Sequence, residues 1–157
     1  MTASGASPSC VFCAAPEQDA TYSLVVFHGT ACYVVLNLYP YNNGHLMVVP
    51  KRHFATLAAA TPVELTEMME LTRLAEIALT ETYKPQGLNV GINLGRPAGA
   101  GILDHLHVHV VPRWNGDTNY MSVVGNTRVL PEELPQTAAR LRPIFERLAR
   151  EGTRSEE

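Results

Sequence analysis

Apolar residues recur along this chain with two different periods, and the changes between them lay out the elements. Residues 22–27 and 31–38 are apolar runs rich in β-branched and aromatic side chains, separated by His28, Gly29 and Thr30. They predict two strands joined as a hairpin. The second run reaches Asn37 and opens into Tyr39, Pro40, Tyr41, Asn42, Asn43 and Gly44, a loop of turn formers in which Asn37 can cap the turn. His45 then stands at the mouth of a short buried strand stopped by Pro50. Thr61, Pro62, Val63 and Glu64 form a capping box with proline at the first helical position, which predicts a helix over 62–83. Its apolar stripe holds Leu65, Met68, Met69, Leu71, Leu74, Ala75, Ala78 and Leu79, and Glu67, Glu70, Arg73 and Glu81 fall on a solvated face. After a stop at Lys84, Pro85, Gln86 and Gly87, period two returns, with Leu88, Val90, Ile92 and Leu94 alternating against Asn89, Gly91 and Asn93. Asn93 thus shares its face with small or polar positions, as where a ligand passes close by. From Leu130 a C-terminal helical region follows, its interior expected to be broken or bent by Pro135 and Pro143. A single domain is expected over 10–150, with residues 1–9 and 151–157 as flexible ends.

Between these patterns, His105, His107 and His109 alternate with Leu106, Val108 and Val110. On a strand this puts three imidazoles on one face and three aliphatic side chains on the other. Neighbouring histidines of the row would stand about 6 to 7 Å apart, the scale of a phosphate group or a shared metal ion. The row uses half of the 6 histidines in the chain, so it is the place to look for chemistry. Gly95, Arg96, Pro97, Ala98, Gly99, Ala100 and Gly101 lead into it. They lack the Gly-Lys-Ser/Thr ending of a phosphate-binding P-loop and precede a strand rather than a helix, yet glycine N–H groups can still approach phosphate oxygens.

A chain of 157 residues, 46% apolar and 17% charged with a formal net charge of -3, is ordinary for one globular domain. Lys51 and Lys84 are its only lysines, and no basic field invites polymeric nucleic acid. The first nine residues are small and polar, unlike a signal peptide, and no segment has the length of a membrane span. Three cysteines do not make a secreted disulfide framework, so the cytoplasm is the expected compartment.

Cys10 and Cys13 form a C-x2-C pair before the first strand. It can be a redox pair, two reduced thiols, or half of a structural zinc site whose other ligands would be distant histidines, with His53 and His105 as candidates. The row itself also allows two chemistries. Two imidazoles could ligate a catalytic metal with an open position for water, with Asp104 and Asp117 the nearest carboxylates. Alternatively a neutral imidazole attacks phosphorus, its neighbours hold the phosphate oxygens, and a second acceptor resolves the phosphoramidate. Spacing does not choose between them.

The run from His105 to Val111 resembles the His-x-His-x-His motif, followed by two apolar residues, of the histidine triad (HIT) family of nucleotide hydrolases and transferases. The similarity extends through Asn93 and the glycine loop and through Asn37 to Pro50. Residues Pro112, Arg113, Trp114, Asn115, Gly116, Asp117, Thr118 and Asn119 are similar to the bacterial branch of diadenosine tetraphosphate phosphorylases and ATP adenylyltransferases. The resemblance implies an α+β, HIT-like fold: a central antiparallel sheet of about five strands, one long helix and a C-terminal helical segment, assembled as a homodimer. It implies that His107 is the nucleophile, that His109 binds a phosphate oxygen and supports the leaving group, and that His45 assists catalysis through the imidazole network. It places an adenine nucleotide or dinucleoside polyphosphate against Asn37, Leu38, Asn93, Gly99, Gly101, His107 and His109. It makes Cys10, Cys13, His53 and His105 the ligands of a structural zinc, with no organic cofactor.

Two departures bear on the acceptor. Where many members carry Gln and then Ser or Thr ahead of the triad, this chain has Gly101 and Ile102, leaving phosphate contacts to backbone N–H groups with Arg96 as a candidate helper. Where the phosphorylase branch often has Gly-Ser, it has Ala100 and Gly101. Hydrolysis, phosphorolysis and transfer therefore stay open, alongside a nucleotide-binding protein of weak activity and the metal-dependent hydrolase.

Overall fold

In the computed structural model, which describes residues 10–19, 23–100, 104–117 and 132–155, five strands form one antiparallel sheet. The strands are β1 Val25–His28, β2 Cys32–Leu36, β3 Leu46–Pro50, β4 Gly87–Ile92 and β5 Val108–Arg113, and their order across the sheet is β1-β2-β3-β5-β4. β1 and β2 are the expected hairpin. From β3 the chain crosses through the long helix to the far edge, runs back as β4, and fills the gap with β5.

Three helices complete the fold: α1 Val11–Ala14, α2 Pro62–Tyr83 and α3 Leu134–Arg154. α2 occupies the predicted span because its first turn is chemically closed. Thr61 Oγ1 accepts from the Glu64 N–H at 3.2 Å, and Glu64 Oε1 accepts from the Thr61 N–H at 2.9 Å. The same carboxylate holds Arg52 in a salt bridge of 2.9 Å, which fixes the segment carrying His53.

The alternation in the strands divides the interior into two layers. Cys32, Val34, Leu36, Leu46, Val48, Leu106, Val108 and Val110 face α2 and α3, meeting Met68, Leu71, Ala75, Ala78, Leu79, Leu141 and Phe145. Tyr33, Val35, Met47 and Val49 face the other way, where Phe12 of α1 covers them.

Several expectations about the helices are corrected. α3 is one helix through Pro143, with Pro135 in its first turn, and it continues to Arg154. Burial of Leu141, Phe145 and Leu148 against the sheet and α2 offsets the roughly 3 kcal/mol that an interior proline costs. Met69 is 68% and Leu65 is 40% exposed, because the apolar stripe of α2 is wider than the surface it covers. Glu67 is not simply solvated: it accepts the Thr30 and Ala31 N–H groups and so closes the β1–β2 turn.

Candidate functional site

β5 begins at Val108, so His105, Leu106 and His107 form its lead-in rather than strand proper. The predicted alternation nevertheless holds across both. Leu106, Val108 and Val110 enter the helix-side core, and the three histidines take the opposite face, His105 and His107 beneath Phe12 and His109 beside His107 and His45. The Leu106 N–H donates to the Phe54 carbonyl at 2.7 Å, which turns the lead-in toward the segment that bears His53.

His105 is 1% exposed, and its Nε2 lies 2.7 Å from the Pro50 carbonyl. A carbonyl only accepts, so Nε2 carries the proton and Nδ1 presents a lone pair. That lone pair stands 3.4 Å from Cys10 Sγ, 3.6 Å from Cys13 Sγ and 3.2 Å from His53 Nδ1, and Cys13 Sγ is 3.3 Å from His53 Nδ1. A tetrahedral ion with Zn–S of about 2.3 Å and Zn–N of about 2.0–2.1 Å requires S···N edges of about 3.6 Å and N···N edges of about 3.3 Å. The observed separations match these edges, so the four residues can hold a metal ion. All four donor atoms lie within 4.8 Å of one another, and this is the one such cluster among the described residues. It draws a single histidine from the row.

His107 is committed differently. Its Nδ1 donates to the His105 carbonyl at 2.9 Å, which leaves the Nε2 lone pair as the nucleophilic nitrogen. Its ring lies 4.7 Å from that of His109, edge to face. Behind His109 stands His45, 1% exposed, with Nε2 2.9 Å from His109 Nδ1. The Tyr41 N–H donates to His45 Nδ1 at 3.2 Å, so the proton of a neutral His45 must sit on Nε2 and is donated to His109. His109 then accepts at Nδ1 and carries its own proton at Nε2. The row thus offers a lone pair on His107 beside an N–H donor on His109.

Burial keeps these rings neutral. Desolvation, followed by the neighbouring imidazoles, lowers His45 to about 4, and desolvation with His107 nearby lowers His109 to about 4. His107 is also lowered by burial, opposed by its bond to the His105 carbonyl.

The remaining candidates are arranged around this centre. Asn37 accepts the Tyr39 N–H at Oδ1, 2.9 Å away, the expected turn cap, and its Nδ2 lies 3.4 Å from His45 Nε2. Leu38 beside it is 57% exposed. Gly91 pairs with His109 and Ile92 with Val108, so Asn93 takes the next register position, opposite His107. A side chain added at Gly91 would meet nothing within 4 Å among the described residues. Asn93 Nδ2 donates to the Gly99 carbonyl at 3.4 Å, and Gly99 adopts φ +97°, a left-handed conformation suited to glycine. Gly101 and Ile102 lie outside the described residues. Sequence reasoning missed Tyr41 and Phe12: one acts through a backbone N–H and the other through a ring packed from a distant segment, and neither carries a motif.

Together the sheet, its covering helices and the divided row define an α+β protein with a neutral imidazole centre beside a separate, closed Cys2His2 cluster. The chain belongs to the HIT family: the HIT domain model matches residues 18–116. It is 46% identical over 134 residues to the AP-4-A phosphorylase of Mycobacterium tuberculosis (strain CDC 1551 / Oshkosh), covering 85% of this chain and 69% of that one. A Zn-bound histidine triad family protein from Mycobacterium smegmatis superposes with a TM-score of 0.70 at 26% identity, covering 90% of this chain and 96% of that one. A hypothetical histidine triad nucleotide-binding protein from Sulfolobus tokodaii also gives 0.70, at 28% identity over 88% and 93% of the two chains. No helix among the described residues is long and apolar enough to cross a membrane.

Proposed function

We propose that this protein cleaves dinucleoside polyphosphates of the diadenosine tetraphosphate type through a nucleotidyl intermediate on His107. The observation that carries the proposal is the pair of assigned tautomers, a lone pair at His107 Nε2 beside an N–H at His109 Nε2. His107 attacks the α-phosphorus, a P–N bond forms, and the P–O bond to the departing polyphosphate breaks. His109 gives its Nε2 proton to the leaving oxygen and regains one from the acceptor that then cleaves the P–N bond. Water as acceptor releases the nucleoside monophosphate, and inorganic phosphate releases the diphosphate. Asn37 and Leu38 receive the ribose side of the nucleotide, and Asn93, Gly99 and Gly101 receive its phosphates. The name of the M. tuberculosis relative supports this substrate class.

The Cys10, Cys13, His53 and His105 cluster holds a structural zinc. Four protein ligands leave no open position, so its role is to fasten the N-terminal segment, with Phe12, over the histidine face. The zinc-bound M. smegmatis neighbour supports that choice of metal. Thiolate ligands suit a reducing, cytoplasmic setting. A second copy of the chain pairs with the exposed edge strand β4, where Val90 is 52% and nearby Leu94 45% exposed.

Product analysis of diadenosine tetraphosphate, with and without inorganic phosphate, tests the activity. ATP plus AMP indicates hydrolysis, and ATP plus ADP that depends on phosphate indicates phosphorolysis. No turnover of this or shorter dinucleoside polyphosphates would reject the enzymatic reading in favour of nucleotide binding alone.

A further inference from the structure

Residues 113–117 at the exit of β5 are not needed by the chemistry above, yet they carry a dense set of polar bonds. The Asp117 side chain is 9% exposed and accepts four hydrogen bonds. Arg113 donates Nη2 to Oδ1 at 2.8 Å and Nε to Oδ2 at 2.8 Å, and the Trp114 N–H donates to Oδ2 at 2.9 Å. The fourth donor comes from another element: Asn42 Nδ2, 2.7 Å from Oδ2, which also donates to the Pro112 carbonyl at 2.9 Å. Both partners of Asn42 are acceptors, so its NH2 end is fixed toward them by chemistry.

Asn42 adjoins Tyr41, whose N–H caps His45 Nδ1, and the Asn42 carbonyl accepts the His45 N–H at 3.2 Å. The Tyr41 ring also stacks on the imidazole, 5.0 Å between centroids and 28° between planes. On its other side the loop is seated on α2. Gly44 has φ +80°, and a Cβ there would come within 2.9 Å of Leu79 and of Tyr83. The loop is thus clamped between α2 and the exit of β5, and the donor that sets the His45 tautomer lies between the clamps.

We infer that Asn42 and Asp117 are positioning residues that hold the Tyr41 N–H against His45 Nδ1, and through His45 keep the proton of His109 on Nε2. This rests on the reading of His107 and His109 above. Without the clamp, the Tyr41 amide no longer dictates which nitrogen of His45 is protonated. A fraction of the enzyme then presents His109 with the wrong nitrogen protonated, and that fraction cannot donate to the leaving oxygen. Substrate contacts are untouched, so the loss falls on kcat rather than KM.

The test uses the full chain with Asn42→Ala and Asp117→Ala, each also in a His45→Phe background. Asn42→Ala leaves the Arg113–Asp117 pair in place and so keeps the loop after β5 folded. Expected are a drop in kcat of about 10- to 100-fold, as for slight misplacement of a catalytic group, with KM little changed, and loss of that drop when His45 is already absent. Imidazole 15N shifts should show wild-type His45 protonated on Nε2 and a mixed protonation pattern in either single variant. Equal drops in both backgrounds, or an unaltered His45 pattern in both variants, would overturn the inference. If the wild-type protein turns over no dinucleoside polyphosphate, the proposed function fails, and the 15N pattern alone still decides the role of Asn42 and Asp117.

Discussion

Two neutral imidazoles, buried His45 and half-buried His109, make the stability of this fold depend on pH in a way that can be worked from the structure. His45 and His109 are lowered to about 4 in the folded protein, against about 6.5 for an unfolded chain. Between these values the unfolded state binds more protons than the folded state, so the stabilisation is complete above about pH 6.5 and is lost as pH falls toward 4. For a single ring the loss between pH 7.5 and pH 5 is about 2 kcal/mol. The two rings are hydrogen-bonded and titrate as a pair, so the useful comparison removes one of them. Urea unfolding of zinc-loaded wild-type protein and of His45→Phe at both pH values should show that wild type loses about 2 kcal/mol more than the variant. The metal cluster is common to both proteins and cancels in the difference. Curves that stay parallel over this range would refute the claim that His45 is buried in the neutral state.

Three further outcomes follow from separate parts of the structure. Purified protein should contain one equivalent of zinc, and Cys10→Ser with Cys13→Ser should remove it and lower Tm by on the order of 10 °C, the shift from a loss of roughly 3–5 kcal/mol in a chain of this size. Equal metal content in that double variant, measured by elemental analysis, would exclude the site. Gly44→Ala should destabilise by about 1–3 kcal/mol and lower kcat, because the left-handed backbone and the contact with Leu79 and Tyr83 admit no Cβ; thermal unfolding and steady-state rates read both effects. Light scattering should give twice the chain mass for wild type and a shift toward monomer for Val90→Glu on the exposed edge of β4.

The sequence displayed those parts of the fold in which side-chain chemistry and local geometry coincide. Thr61 and Glu64 signal the start of α2 because each satisfies the other's backbone donor. The alternation of His105, His107 and His109 with Leu106, Val108 and Val110 reports two faces, and the packing obeys it even where regular strand has not begun. Tertiary packing decided what local rules could not. Pro143 signals a break, yet the buried neighbours Leu141 and Phe145 keep α3 continuous. Met69 fits the apolar stripe but faces outward because no element among the described residues lies over it. The tautomers of the row were beyond sequence reasoning for a different reason. They are set by the Pro50 and His105 carbonyls and the Tyr41 N–H, groups that every such residue carries and that only the folded backbone aims.

The central claim is that His107 Nε2 takes the nucleotidyl group. Rapid quench into alkaline denaturant with diadenosine tetraphosphate carrying label in the adenylyl groups tests it directly, followed by peptide mapping of the denatured protein at alkaline pH, where a P–N bond to histidine survives. The account predicts an acid-labile adenylyl label on the peptide containing His107, retained in His109→Ala and absent from His107→Ala. Label that persists in His107→Ala would contradict it.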